Sequence, residues 1–191
     1  MKFEVEIKVQ NVVASAKLGH SIDLGAVVKA YPEVQYMPEI FPGIVFRLKR
    51  PQTATLIFRT GGIVCTGAKS AKDARKAVLK VVRKLKRGGI ILRSGKPEIV
   101  IHNVVATGRM EKAGIDLEKL YASVSSGARI VYETEQFPGL IYYMEDPRVT
   151  FLVFRSGNLV CTGAKREEDV YAATEKLVAT LKEEGVLYEA P

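Results

Sequence analysis

From residue 3 to 13 the chain alternates apolar and polar positions, FEVEIKVQNVV, and it does so again over residues 98–107, EIVIHNVVAT. Side chains on a strand point alternately to its two faces, so both runs are predicted as strands that open a structural unit. After each comes a short helix-like stretch for which Asp23 or Asp116 is the expected N-cap. Three or four short strands follow, marked by Phe-Pro-Gly, a later proline and Ser/Thr-Gly turn signals. Each series closes on a longer segment with helical period, at residues 70–87 and 166–183. In the first of these Ala74, Ala77, Val78, Val81 and Leu85 fall on one stripe; in the second Val170, Ala173, Thr174, Leu177 and Leu181 do nearly the same.

The two series are one unit written twice. Residues 36–69, YMPEIFPGIVFRLKRPQTATLIFRTGGIVCTGAK, match residues 132–165, YETEQFPGLIYYMEDPRVTFLVFRSGNLVCTGAK, with 16 of 34 positions identical at a constant offset of 96. The opening blocks, 7–15 and 99–107, match at an offset of 92, so the second copy carries four extra residues between the blocks. Two copies are too few for a solenoid and fit a pseudo-two-fold pair. The predicted class is α+β: an antiparallel sheet with the helices on one face. The expected boundaries are residues 1–95 for the first repeat and 96–191 for the second, acting together as one unit.

If the long helices cover one face of the sheet, the strands present a second row to the other. That row holds Asn11, Val13, Leu56, Phe58, Val64 and Thr66, and then Asn103, Val105, Leu152, Phe154, Val160 and Thr162. No further amphipathic layer is predicted to cover it, and a bare apolar patch of that size signals a binding surface. Two of the chain's three asparagines, Asn11 and Asn103, occupy the same place in the repeat inside a strand, where Asn is disfavoured. They read either as turn or edge residues or as donors set in an apolar sheet, suited to the acceptors of an A·T-rich minor groove. Phe41 and Phe137 stand directly before Pro-Gly, while Phe58 and Phe154 close later strands. Four phenylalanines at equivalent positions are either core or aromatic wedges for base steps.

Charge now changes the picture. The chain of 191 residues carries a net +8, but residues 1–95 hold 18 Lys+Arg against 6 Asp+Glu, and residues 96–191 hold 11 against 15. A net +12 beside a net −4 suggests a polyanion for one surface and protein partners for another. Two cysteines, Cys65 and Cys161, are too few for a disulfide framework or a multi-cysteine zinc site and are expected to be buried thiols. No Ser-His-Asp order, GxGxxG, GxxxxGK[ST] or His-paired carboxylates occur, so an enzyme is not expected, nor is a metal or cofactor. No apolar run is long enough to cross a membrane.

The doubled FPG…LIF/LVF…CTGAK pattern, preceded by QNVV and HNVV, closely resembles the TATA-box-binding family of general transcription initiation factors. Nothing long precedes the first repeat, so the compact archaeal form is the expected type, with a cytoplasmic, nucleoid-associated location (nuclear in a eukaryotic source). The resemblance implies a saddle whose concave sheet lies on the minor groove of an A/T-rich promoter element and whose long helices lie on the convex back. It implies that Phe41 with Phe58 and Phe137 with Phe154 are kinking wedges. Asn11, Asn103, Thr66 and Thr162 become the polar contacts, and Val13, Leu56, Val64, Val105, Pro138, Leu152 and Val160 the apolar floor. Arg47, Arg148, Lys69 and Lys165 become the phosphate contacts; Tyr143, at the repeat position of Arg47, departs from a symmetric clamp. Glu133 and Glu135 are implied to bind transcription factor B, with RNA polymerase reached indirectly. The expected state is a monomer on DNA, with a dimer open to the free protein. The basic segment 69–87 is assigned to the back, as a solvated or partner-facing surface. The alternative reading is an architectural DNA-bending protein with little sequence preference.

Overall fold

The computed structural model describes residues 4–91, 95–124 and 129–189; residue 3, where the first alternating run begins, lies outside them. The chain folds as two compact units, one of Asn11–His102 and one of Met1–Gln10 with Asn103–Pro191. Each is an antiparallel sheet with helices packed on one face, the α+β class expected from the repeat.

In the first unit the strands are β1 (Val5–Lys17, entered from residue 11), β2 (Gly43–Lys49), β3 (Gln52–Phe58) and β4 (Gly62–Ala68). Their spatial order is β2-β3-β4-β1. Helix α1 (Leu24–Ala30) follows β1, and helix α2 (Ala71–Arg87) follows β4 and packs on β3 and β4. Asp23 caps α1 as expected, its Oδ1 accepting the Ala26 N–H at 3.1 Å, and Ser70 caps α2 through the Asp73 N–H at 3.0 Å. The α2 stripe is buried at all five predicted positions, and Val82 joins it. Ala77, Val78, Val81, Val82 and Leu85 of this stripe form one core with Ile44, Phe46, Ile57, Ile63 and Cys65 from the strands. A fully buried side chain of the size of Leu85 or Ile57 contributes about 1.5–3 kcal/mol relative to exposure.

The second unit repeats this plan with β5 (Ile99–Met110), β8 (Leu140–Glu145), β9 (Arg148–Val153) and β10 (Asn158–Ala164), and helices α3 (Leu117–Ser123) and α4 (Glu167–Glu183). Asp116 caps α3 through the Lys119 N–H at 3.0 Å. The α4 stripe is buried at Val170, Ala173, Thr174, Leu177 and Leu181. Three short strands were not predicted: β6 (Ala113–Ile115), β7 (Arg129–Val131) and β11 (Leu187–Glu189). β7 extends the sheet to the order β5-β10-β9-β8-β7, and β11 pairs with β6 apart from it. The opening strands also run further than their alternation, to Lys17 and Met110, and Phe154 stands one residue beyond β9 instead of ending it.

Candidate nucleic-acid interface

In each unit the strand residues named above lie on the sheet face opposite the helices. Along β3 the burial alternates, with Thr53, Thr55 and Ile57 buried and Ala54, Leu56 and Phe58 partly exposed; β4, β9 and β10 follow the same rhythm. Val13, Leu56 and Val64 in the first unit, and Val105, Leu152 and Val160 in the second, are therefore partly exposed on this open face. Neighbours are in register: Leu56 lies opposite Val64, and Leu152 opposite Val160. Pro138 is exposed in the loop ahead of β8.

Each asparagine holds a bulge in place. Between the pairs Val12–Ala68 and Ala14–Cys65, the single residue Val13 faces both Thr66 and Gly67. Gly67 has φ +93°, a conformation that side-chain-bearing residues rarely adopt, and its N–H donates to Asn11 Oδ1 at 2.7 Å. The second unit copies this, with Gly163 at φ +94° and its N–H on Asn103 Oδ1 at 2.7 Å. With the oxygen committed, the amide nitrogen turns to Thr66 Oγ1 at 3.3 Å, or to Thr162 Oγ1 at 3.4 Å. One N–H of each amide remains for an outside acceptor. The turn-or-edge alternative for these asparagines is thus replaced by a bulge-fixing role, which is compatible with their being donors on the open face. The signal was in the sequence as the Asn and Thr-Gly kept at matching places in both copies.

The phenylalanines stand in two pairs. Phe41 and Phe58 have ring centroids 5.7 Å apart and planes at 65°; Phe137 and Phe154 give the same 5.7 Å and 65°. All four rings are partly exposed, so they are neither core nor bare loop tips. The Pro-Gly that follows explains the seating. A Cβ on Gly43 would lie 2.9 Å from the Phe41 ring and 3.1 Å from that of Phe58. On Gly139 it would lie 2.8 Å from Phe137 and 3.1 Å from Phe154, so only glycine leaves room for the edge-to-face pair. One turn before each pair, the Phe41 N–H donates to Met37 O and the Phe137 N–H to Glu133 O, both at 2.9 Å.

Of the expected phosphate contacts, Arg47 is exposed on the open face of β2 opposite Ala54, and its Nη2 reaches Gln35 Oε1 at 3.4 Å. Lys69 lies just past β4 and lines one groove with Arg47. Arg148 is exposed at the start of β9, and Lys165 just past β10. Tyr143 does occupy the place of Arg47, but β7 brings Arg129 opposite it, with the guanidinium 4.8 Å from the Tyr143 ring centre. That cation–π stack returns a positive charge to the edge of the second sheet. No local pattern in the sequence marks Arg129, because β7 is three residues long and lies where the two copies differ in length. Glu133 and Glu135 are exposed in the loop ahead of Phe137.

Behind the face the chemistry is quiet. Burial pushes the Cys161 thiol up to about 12 and also raises that of Cys65, so both stay protonated near neutral pH. Among the described residues no three His, Cys, Asp or Glu side chains group to hold a metal ion. No helix among them is long and apolar enough to cross a membrane.

Comparison with known proteins decides the family. The family model for "Transcription factor TFIID (or TATA-binding protein, TBP)" matches residues 6–88 and again 98–184. The chain belongs to the TATA-binding protein family. It is 45% identical over 181 residues to the TATA-box-binding protein of Pyrobaculum calidifontis, covering 95% of this chain and 88% of that one. It is 42% identical over 185 residues to that of Archaeoglobus fulgidus, covering 96% and 99%. The solved structure of Methanococcus jannaschii TBP superposes with a TM-score of 0.80 at 45% identity, covering 93% of this chain and 99% of that one. The two stretches matched by the TBP model correspond to the two copies in the sequence, and the family is one of DNA-binding transcription factors, not enzymes.

Proposed function

We propose that this chain is a general transcription initiation factor that binds an A/T-rich TATA promoter element through the minor groove, using the open faces of both repeats on one duplex. The observation that carries this reading is the pair of phenylalanine pairs, matched in distance and angle, beside an apolar open face in a member of this family. Phe41 with Phe58 and Phe137 with Phe154 are the wedges that unstack base steps at the two ends of the site, the cost being lowest at deformable TA steps. Val13, Leu56, Val64, Val105, Pro138, Leu152 and Val160 press on sugars and base edges. That floor has no acceptor for the guanine N2 amine, so G·C pairs lose a hydrogen bond there and A·T pairs do not. Asn11 and Asn103, oriented by their bulges and accompanied by Thr66 and Thr162, donate to A N3 and T O2. Arg47, Lys69, Arg148 and Lys165 hold phosphates, and the stack of Arg129 on Tyr143 supports a fifth contact there. Glu133 and Glu135 repel phosphate and suit a basic surface of transcription factor B, through which RNA polymerase is recruited.

The test is energy transfer across an end-labelled TATA duplex. Binding should shorten the end-to-end distance, and Phe137→Ala with Phe154→Ala should abolish most of the shortening while leaving the protein folded. Binding by the native chain with no change in end-to-end distance would sink the wedge mechanism.

A further inference from the structure

The second repeat contains a carboxylate seat that the first repeat keeps without its carboxylate. On α3, Glu118 accepts the Tyr132 hydroxyl at 3.1 Å and the Arg155 guanidinium. Its own backbone N–H, and then Arg155, hold the Glu118 carboxyl below the ordinary carboxylate range. The repeat mates of Tyr132 and Arg155, 96 residues earlier, are Tyr36 and Arg59. In the helix the capping aspartates align Asp116-Leu117-Glu118 with Asp23-Leu24-Gly25. Gly25 therefore stands where Glu118 stands. The arginine and the tyrosine are retained and the acid is missing.

The space left is a cavity of about 340 Å³ lined by Ser21, Asp23, Gly25, Tyr36 and Arg59, among others. No hydrogen bond to the side chain of Arg59 or Tyr36 occurs among the described residues, whereas both mates are engaged by Glu118. Asp23 does not fill the seat: its Oδ1 is taken by the Ala26 N–H, as Asp116 is by the Lys119 N–H in the copy where Glu118 is also held. The surroundings indicate what does. The loop that begins at Tyr36 exposes Met37 at 54% and Ile40 at 78%. Their mates in the second repeat are the polar Glu133 and Gln136. A carboxylate seat followed along the chain by a loop with exposed apolar side chains, on the half of the chain with net charge +12, fits an acidic peptide segment with flanking apolar residues.

We propose that Tyr36 and Arg59 receive a Glu or Asp side chain from a partner protein, whose neighbouring apolar residues pack on Met37 and Ile40. The inference is independent of the DNA reading above. Its test is NMR titration of the Arg59 Nε–H with a short blocked peptide carrying a central Glu between leucines. The same peptide with Gln, and inorganic phosphate, serve as comparison probes. The Glu peptide should shift Arg59 saturably and bind about tenfold or more tighter than the Gln peptide, as a charge-assisted pair requires. Gly25→Glu supplies the acid within the chain and should abolish peptide binding. The Glu118 position tolerates that residue, and a Cβ on Gly25 meets Asp23 Oδ1 at 3.2 Å, a contact that needs a small adjustment. Arg59→Gln, which disturbs no backbone and is followed through the Tyr36 ring signals in place of the lost guanidinium, should abolish it too. Equal binding of the two peptides, unchanged binding by Arg59→Gln, or tighter saturation by phosphate than by the Glu peptide would each overturn the proposal.

Discussion

Asn11 and Asn103 each do two jobs with the two ends of one amide, and substitution separates them. The oxygen fixes a bulge by accepting a glycine N–H, and the nitrogen then points where DNA acceptors are proposed to lie. Asn103→Asp keeps an oxygen for Gly163 and replaces the donor with a second acceptor. Its folding stability should stay within about 1 kcal/mol of the parent, while affinity for a TATA duplex falls by about tenfold or more. Asn103→Ala removes both groups, so chemical denaturation should register a loss of about 1–3 kcal/mol as the Gly163 N–H goes unpaired. If Asn103→Asp bound DNA as well as the parent, the asparagine would be a bulge residue only. Its position on the open face was legible from alternation. Its partner was not, because register between β5 and β10 is a long-range property that a local pattern does not encode.

At the level of elements, the two long helices are buried along equivalent stripes but begin differently. Ser70 caps α2 with its side chain, whereas its mate Arg166 makes no side-chain cap and instead pairs at 2.7 Å with Asp169, the arginine exposed and the carboxylate largely covered. A side-chain cap contributes about 0.5–2 kcal/mol, and an ion pair whose arginine stays in solvent about 0.2–1 kcal/mol. Arg166→Ser, which copies the first repeat into the second, should therefore raise stability by about 0.5–1 kcal/mol, measured by urea denaturation. No change or a loss would mean that the ion pair outweighs the cap. Why these helices were readable and β6, β7 and β11 were not is a matter of length and period. Seventeen residues of α2 carry nearly five turns of the apolar stripe, and the repeat states it twice. A strand of three residues has no period to detect; β6 is buried throughout. The extra residues of the second copy mark the region that holds β7 and Arg129, though their number says nothing of the pairing. The Phe-Pro-Gly motif was likewise visible before its reason, which is the close approach of two rings to one glycine.

For the whole molecule the question is which of its charges meet DNA. The net +8 is a poor guide, since much of it lies on α2, whose buried face packs on the side of the sheet away from the open face. Counterion release distinguishes the two groups, because only cations that neutralise phosphates steepen the dependence of affinity on salt. Four contacts from Arg47, Lys69, Arg148 and Lys165, with a fifth from Arg129, give a slope of log K against log salt of about −4.5, and each contact removed flattens it by about 0.9. Arg47→Ala should do so, and Arg129→Ala should match it if the guanidinium on Tyr143 replaces the missing arginine of the second repeat. Lys72, Lys76 and Arg83 are exposed on α2, and replacing all three with alanine removes more charge than either single variant. Yet their loss should leave the slope within about 0.5 of the parent. The same titrations on a G·C-rich duplex separate a promoter-specific factor from a general DNA bender. The phosphate term is common to both sequences, so the slopes should agree while the affinities differ by about a thousandfold or more. Equal affinities would favour the bender, and a flattened slope for the α2 variant would move the DNA path onto the helices.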